Sequence, residues 1–279
     1  MRLPIAAAVS ALALAVPAAA QDHSAHHAAT HAGHAALQAA VDNANRDADR
    51  ARDQYRHPME TLAFFKVEPG MKVGEYAPGG GWYSRVLGNY LGDSGQLVGL
   101  YFTPDGDAFS AEAQAGIRKG ATDFPGKVAG WTGKPAERFS GLTLEDVSDA
   151  DKGTFDRVLV IRMLHNMMRW NIADHELKVM RDLLKPDGML GIVQHRAPEA
   201  ADGDYAGGGK GYLRQKDVVG FVEAMGFELV GASEINANPR DTANHPEGVW
   251  EMPPSLRTKR DDLKALGESD RMTLLFRKR

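Results

Sequence analysis

The sequence predicts an α/β protein whose mostly parallel sheet of seven strands is covered by helices on both faces, after an N-terminal helical extension. Short apolar runs alternate with amphipathic segments from residue 71 onward. That alternation is typical of a doubly wound sheet, in which each helix returns the chain to the next parallel strand. Within the run Phe155–Ile161 the last four residues are all apolar, as expected for a central strand that is buried on both faces.

Turn signals and apolar runs place the individual elements. We expect strands at Met71–Tyr76, Leu97–Phe102, Lys127–Trp131, Phe155–Ile161, Met189–Gln194, Phe227–Ile235 and Arg271–Arg277. We expect the intervening helices at Trp82–Leu91, Asp107–Lys119, Asp174–Leu184 and Gln215–Met225. Many of the segments between them carry glycine, proline or both, which are the residues that favour turns.

A glycine loop follows the first strand. The strand brings Glu75 to the edge of the sheet, and Gly79, Gly80 and Gly81 come directly before the next helix. Glycines let the backbone approach a ligand closely, and the first turn of a helix presents free N–H groups to it. The arrangement is typical of nucleotide sites, so we expect Glu75, the three glycines and Trp82 to bind a nucleotide-like cofactor.

Further polar residues follow the other strands. Ligands of open α/β sheets bind outside the carboxyl ends of the strands, and that rule selects His165, Asn166, His195, Arg196, Asn236, Asn238 and Arg240. A histidine can serve as a general base near neutral pH, so His165 and His195 are the catalytic candidates. The alternative is that each histidine is a hydrogen-bonded structural residue.

The remaining polar residues are candidates for binding a substrate. Arg196 or Arg240 could hold a carboxylate or a phosphate through two parallel hydrogen bonds. The amides that could orient the substrate are Asn166, Asn236 and Asn238. An ion pair between Arg240 and Asp241 that only holds the loop is the alternative for that arginine.

Composition excludes several kinds of site. The chain of 279 residues has no cysteine, which excludes disulfides, thiol nucleophiles and cysteine-bound zinc. Its net charge is −4 and no region is strongly basic, so we expect no nucleic-acid partner. No HxxxH-type spacing supports a metal site at the sheet edge, and we expect none there.

The N-terminus predicts export. Residues 1–20 combine Arg2, an apolar stretch from Ile5 to Val16 and small residues up to Ala20, the pattern of a cleaved secretory signal peptide. The stretch is short for a membrane span, so we expect a periplasmic or secreted protein without a stable membrane anchor. Residues 21–35 form an expected disordered leader that contains five histidines and could bind metal opportunistically. We expect residues 36–57 to form a charged helical extension with one surface helix. We expect residues 58–279 to form the α/β domain.

These segments together resemble a known family. Glu75, Pro78-Gly79-Gly80-Gly81, Phe155-Asp156-Arg157-Val158-Leu159 and Leu183-Leu184-Lys185-Pro186-Asp187-Gly188 resemble the motifs of class I S-adenosylmethionine-dependent methyltransferases. More specifically, the chain is similar to an exported bacterial family of predicted methyltransferases, through Pro78–Tyr83, His165-Asn166, Gln194-His195-Arg196 and the segments around Asn236 and Glu268. The resemblance implies a Rossmann-like fold, S-adenosylmethionine as cofactor and a small-molecule methyl acceptor.

The sequence departs from the general methyltransferase pattern at two positions. Ala77 stands where the loop has a glycine, and Tyr101 stands where an acid would end the second strand. Export would also separate the chain from the cytosol, where the cofactor is made. The alternatives are therefore an inactive relative that binds a different small ligand or a partner in the periplasm, or an enzyme with different chemistry at the same edge.

Overall fold

A mostly parallel sheet organises the chain. The computed structural model describes residues 33–105 and 108–279, so the expected signal peptide and most of the expected leader lie outside the described residues. The strands are β1 Lys72–Tyr76, β2 Gln96–Tyr101, β3 Phe139–Thr143, β4 Phe155–Ile161, β5 Leu184–Ala197, β6 Leu213–Arg214, β7 Phe227–Ser233 and β8 Arg271–Lys278. Their order is β3-β2-β1-β4-β5-β8-β7, with β6 paired to the end of β5. Only β8 runs antiparallel among these described strands, between β5 and β7, which confirms the predicted α/β fold.

Helices precede the sheet and connect its strands. Residues 33–41 are helical and are called α1 below. The others are α2 Asp53–Arg56, α3 Pro58–Phe64, α4 Trp82–Tyr90, α5 Ala111–Thr132, α6 Leu164–Arg169, α7 Ala173–Leu183, α8 Gly203–Ala206, α9 Gln215–Ala224 and α10 Asp261–Lys264. In the described part of the chain, no helix has both the length and the apolarity that crossing a membrane requires.

The central strand explains why the sheet is covered on both sides. Successive side chains of a strand point to opposite faces. Val158 and Val160 of β4 join an apolar cluster with Leu177 of α7, whereas Leu159 between them joins a second cluster with Val86 of α4. Because both faces of β4 are buried, its apolar run is continuous, as the sequence analysis predicted.

The third strand was predicted at the wrong place. Lys127–Trp131 lies inside the long helix α5, and β3 is Phe139–Thr143. Ala121, Phe124 and Val128 are the buried side chains of α5, and their spacing of three and four residues is that of one helix face. Within the described sheet, β3 pairs with β2 alone, and such an edge strand does not need a strong apolar run.

The N-terminal extension differs from the single surface helix that we expected over 36–57. After α1, the chain makes two 3₁₀ turns, Ala44–Arg46 and Arg50–Arg52, before α2. Arg46 and Arg56 are 0% and 2% exposed, so charged residues of this segment are buried against the domain. Their charge is compensated by specific partners, as burial of a guanidinium requires; Arg46, for example, pairs with Asp53 at 2.7 Å.

Candidate functional site

A cavity of about 380 Å³ lies at the carboxyl edge of the sheet, where β1, β4 and β5 end. Small-molecule sites usually occupy about 300 to 1,000 Å³. The polar side chains that line it are Asp49, Arg52, Arg56, Glu75, Tyr76, Trp82, Tyr83, Arg85, Arg162, His165, Asn166, His195, Trp250, Ser255, Glu268 and Ser269. The cavity therefore joins the N-terminal extension, the glycine loop, the ends of three strands and the segment that precedes β8.

The glycine loop presents open backbone to this cavity. A Cβ atom added at Gly80 would meet no atom within 4 Å, and one at Gly79 would meet only a carbonyl oxygen at 3.9 Å. Gly81 differs, because a Cβ there would lie 2.1 Å from the ring of Trp131. The structure thus brings Gly79 and Gly80 to the cavity, whereas Gly81 allows α4 to pack closely against α5.

Ala77 adopts the conformation that glycine would adopt. Its φ angle is 49°, in the left-handed region that costs a residue with a Cβ roughly 1–2 kcal/mol. The amide of Ala77 donates a 2.7 Å hydrogen bond to the carbonyl of Leu100, which holds it at the end of β1. The loop keeps its turn although the glycine is missing.

Glu75 is a buried acid at the end of β1. It is 4% exposed, and the hydroxyl of Ser84 lies 2.6 Å from its Oε2 atom. Burial disfavours the charged carboxylate and raises the pKa of Glu75 to about 8. At neutral pH the side chain is therefore mostly a neutral acid, which can both donate and accept a hydrogen bond.

Trp82 links the extension to the glycine loop. The guanidinium carbons of Arg46 and Arg56 lie 5.0 and 4.8 Å from the centre of its ring, within the range of a cation–π interaction. Its indole N–H approaches the carbonyl of Asp49 at 3.4 Å. Trp82 does line the cavity, but its closest described contacts hold the extension in place.

His165 is held as a neutral base. It lies at the start of α6, is 4% exposed, and its Nδ1 atom is 3.3 Å from Oε1 of Gln194. Burial lowers the pKa of His165 to about 4, so the ring is uncharged at neutral pH. Asn166, the next residue, also lines the cavity.

His195 stands beside His165. The two rings are 5.4 Å apart between centroids, and Nδ1 of His195 lies 2.6 Å from the hydroxyl of Ser269. Burial again lowers the pKa of His195 well below 6.5. The structure therefore brings both predicted catalytic candidates into one cavity in their neutral form.

The other predicted substrate residues do not reach this cavity. The guanidinium of Arg196 is paired with Asp270 and Glu234, at 2.8 and 2.7 Å. Asn236 donates to Thr61 and Thr273, both at 2.9 Å. These contacts hold β5, α3, β8 and the segment after β7 together.

Asn238 and Arg240 likewise make structural contacts. Asn238 donates to the carbonyls of Leu266 and Glu268, and Arg240 donates to the carbonyl of Ala265 at 2.9 Å. Asp241 accepts hydrogen bonds from Tyr212 and His245 instead of pairing with Arg240. The structure thus places both residues in the loop that precedes β8.

The arginines of the extension were not among the residues predicted from the sequence. Arg52 and Arg56 line the cavity, and their Nε atoms lie 2.7 and 3.1 Å from the carboxylate of Glu268. Glu268 belongs to a segment that carried the family resemblance, but no role was given to it. Among the described residues, no group of three or more histidine, aspartate or glutamate side chains is placed to hold a metal ion.

Comparisons with known proteins show the fold. No family model matches the chain, and no curated protein matches it. Among solved structures, the [4+2]-cyclase SpnF is similar with a TM-score of 0.50 at 17% identity, over 85% of this chain and 85% of its own. A second similar structure is the Burkholderia thailandensis 1,6-didemethyltoxoflavin-N1-methyltransferase, solved with S-adenosylhomocysteine. Its TM-score is 0.48 at 15% identity, and the match covers 95% of this chain and 93% of that protein. A SAM-dependent methyltransferase from Aquifex aeolicus is similar with a TM-score of 0.47 at 16% identity, and the match covers 73% of this chain and 93% of that protein. These likenesses concern the fold, so the reaction has to be inferred from the cavity.

Proposed function

We propose that the protein transfers a methyl group from S-adenosylmethionine to a small-molecule acceptor in this cavity. One observation carries the proposal: an open glycine loop with its buried acid shares a single cavity with two neutral histidines. The loop and the acid fit a cofactor, and the histidines fit an acceptor that must lose a proton.

The residues present fit the cofactor. Gly79 and Gly80 leave room for a ligand against the backbone, and the nine-residue helix α4 directs its first N–H groups toward the loop. The neutral carboxyl group of Glu75 can hydrogen-bond to hydroxyl or amino groups of the ligand. When bound, the cofactor would supply an electrophilic methyl group on a sulfonium.

His165 fits the role of general base. It is uncharged at neutral pH, and the contact of Nδ1 with Gln194 directs the proton to that nitrogen. Nε2 then carries the lone pair that can take a proton from the molecule that is to be methylated. His195 is the second candidate for the same task, oriented by Ser269.

The extension completes the binding site. Asp49, Arg52 and Arg56 form part of the cavity wall, and Arg85 of α4 pairs with Asp49 at 2.5 Å. We infer that this wall, built from a separate segment, reduces the access of water to the other side chains of the site. Exclusion of water strengthens every electrostatic contact inside.

The glycine loop offers a sharp test of the cofactor site. A Cβ atom at Gly80 meets no neighbour within 4 Å in the folded protein, so a Gly80→Val side chain would extend into the space that the ligand needs. In calorimetric titrations with S-adenosylhomocysteine, we expect Gly80→Val to weaken binding at least tenfold. Gly220→Val in α9 is the control, because its site is equally open and lies outside the cavity lining. Equal affinity of both variants would overturn the proposal.

We further propose that the mature chain acts in the periplasm or outside the cell, as the N-terminal pattern predicts.

A catalytically inactive protein that binds a different ligand is the competing function. It predicts that replacing His165 and His195 leaves function unchanged, whereas the methyltransferase proposal predicts loss of turnover with retained cofactor binding.

A further inference from the structure

Three arginines share one carboxylate at the edge of the cavity. Arg52, Arg56 and Arg271 place guanidinium nitrogens 2.7, 3.1 and 3.0 Å from the oxygens of Glu268. Glu268 and Arg56 are nearly inaccessible, with side chains 4% and 3% exposed. One negative charge therefore faces three positive charges, of which those of Arg56 and Arg271 are buried, and excess buried charge of one sign is costly.

A fourth arginine adds to this excess. Arg162 lines the same cavity at the end of β4, and no carboxylate in the described part of the chain lies within 4.0 Å of its guanidinium. Burial lowers the pKa of Arg162 to about 10; the positive charges of Arg271 and Arg52 add to this lowering, and the carboxylate of Glu268 opposes it. Its backbone has a φ angle of 59°, and such strain tends to occur where function requires a particular side-chain direction.

Several donors of this arginine cluster, which comprises Arg52, Arg56, Arg162 and Arg271, have no partner. Nη2 of Arg52, Nη2 of Arg56 and Nε of Arg162 are buried without a hydrogen bond. Buried N–H donors are almost always satisfied in proteins, and all three residues line the cavity. Unpartnered donors together with excess positive charge are the features of a site for an oxyanion.

We propose that Arg52, Arg56 and Arg162, the members of the arginine cluster that line the cavity, bind an oxyanion, a carboxylate or a phosphate, of the ligand that occupies it. The inference deepens the proposed function, on which it rests, by assigning an anionic group to what is bound beside His165. That group belongs either to the methyl acceptor or to the amino-acid end of the cofactor. Both sources share the chemistry that the guanidinium groups recognise.

Binding of inorganic phosphate tests the subsite without any cofactor. Thermal unfolding is followed for the chain from Gln21 to Arg279 over 0 to about 20 mM phosphate, at constant ionic strength so that general screening stays fixed. We expect a saturable rise in melting temperature for the wild type, and an apparent Kd at least tenfold weaker for Arg162→Gln. Arg277→Gln is the control, since Arg277 is exposed and paired with Glu228 away from the cavity.

A second variant keeps the test decisive if Arg162→Gln weakens phosphate binding only because it folds poorly. Glu268→Gln removes the carboxylate that competes for the guanidinium groups, so phosphate should bind it several-fold more tightly than the wild type. Opposite effects of Arg162→Gln and Glu268→Gln would support the subsite. Equal phosphate responses in the wild type, both variants and the control would overturn it.

Two ligands distinguish the sources of the oxyanion. S-adenosylhomocysteine carries a carboxylate, and 5′-methylthioadenosine does not. If Arg162→Gln weakens the binding of S-adenosylhomocysteine tenfold and leaves the binding of 5′-methylthioadenosine unchanged, the oxyanion belongs to the cofactor. If the affinities for both ligands are unchanged, the oxyanion belongs to the methyl acceptor. Arginine-dependent phosphate binding without any binding of either adenosine compound would keep the subsite and refute the methyltransferase proposal.

Discussion

The amide of Gln194 fixes the ring of His165. Nε2 of Gln194 donates to the carbonyls of Gly211 and His195, at 2.9 and 3.3 Å. Its oxygen is thereby turned toward His165, where it accepts from the backbone N–H and lies 3.3 Å from Nδ1. Since an amide oxygen can only accept, Nδ1 of His165 carries the proton and Nε2 is left with its lone pair.

The first prediction concerns the protonation of His165. Its folded-state pKa of about 4 lies below its ordinary value of 6.5, so NMR of the ring nitrogens should show the neutral Nδ1–H form from pH 8 to about pH 5. As the pH falls below 6.5, the unfolded chain protonates this histidine before the folded protein does. The free energy of unfolding is therefore not reduced by this group above pH 6.5, and it decreases as the pH falls toward 4. The loss is roughly 1.4 kcal/mol per pH unit for one such group. His165→Asn should flatten the acid side of the stability curve. A ring that titrates near pH 6.5 would contradict this assignment.

The second prediction concerns the buried acid Glu75, whose pKa shift has the opposite sign. Its folded-state pKa of about 8 lies above its ordinary value of 4.5, so the folded protein holds a proton that the unfolded chain releases. Stability is therefore lost as pH rises from 4.5 to 8, by on the order of 2–4 kcal/mol in total. Denaturant unfolding at pH 8 should find Glu75→Gln more stable than the wild type. Glu228→Gln, at a partly exposed glutamate, is the control, and parallel pH curves for Glu75→Gln and wild type would refute the prediction.

The third prediction concerns the attachment of the extension. Trp82→Ala removes the ring that contacts Arg46 and Arg56, and we expect a loss of about 3 kcal/mol or more, as for other buried tryptophans. Limited trypsin digestion should then cut at Arg46, Arg50, Arg52 and Arg56 before it cuts the sheet. Trp170→Ala, which removes contacts with Phe102 and Phe109, should not expose these sites. Equal cleavage of both variants would show that Trp82 does not hold the extension.

The fourth prediction concerns backbone strain in the glycine loop. Ala77→Gly should stabilise the protein slightly, by about 0.5 kcal/mol, because relief of the left-handed strain exceeds the added entropy of the unfolded chain. Ala121→Gly in the buried face of α5 should instead destabilise by about 1 kcal/mol or more. Chemical denaturation of the two variants compares them directly. The same sign for both changes would argue against strain at Ala77.

The fold could be predicted where one residue pattern had one explanation. The continuous apolar run of β4 and the glycine loop before α4 each specified an element and its neighbours. Lys127–Trp131 belongs to a single helix that continues through Pro125 and Gly126, although these residue types usually favour turns. The register of Phe139–Thr143 is set by its pairing with β2, which a local pattern does not contain.

The lining of the cavity was predictable at the ends of β1 and β4 and less so beyond them. His195 and Arg196 are neighbours on β5, and because side chains alternate, His195 faces the cavity and Arg196 pairs with acids elsewhere. Asn236 and Arg240 follow β7, which the strand order places beyond β8 and away from β5. Glu268 precedes β8, and an antiparallel strand brings its beginning to the edge where the parallel strands end. A rule based on strand ends alone misses that segment.

The most direct test of the proposed cofactor site is calorimetric titration of the chain from Gln21 to Arg279 with S-adenosylhomocysteine, for the wild type and for Glu75→Ala. We expect micromolar binding to the wild type, about −8 kcal/mol, and binding at least tenfold weaker in a folded Glu75→Ala variant. Absence of binding to the wild type, or equal affinity of the two proteins, would contradict the placement of the cofactor at Glu75 and the glycine loop.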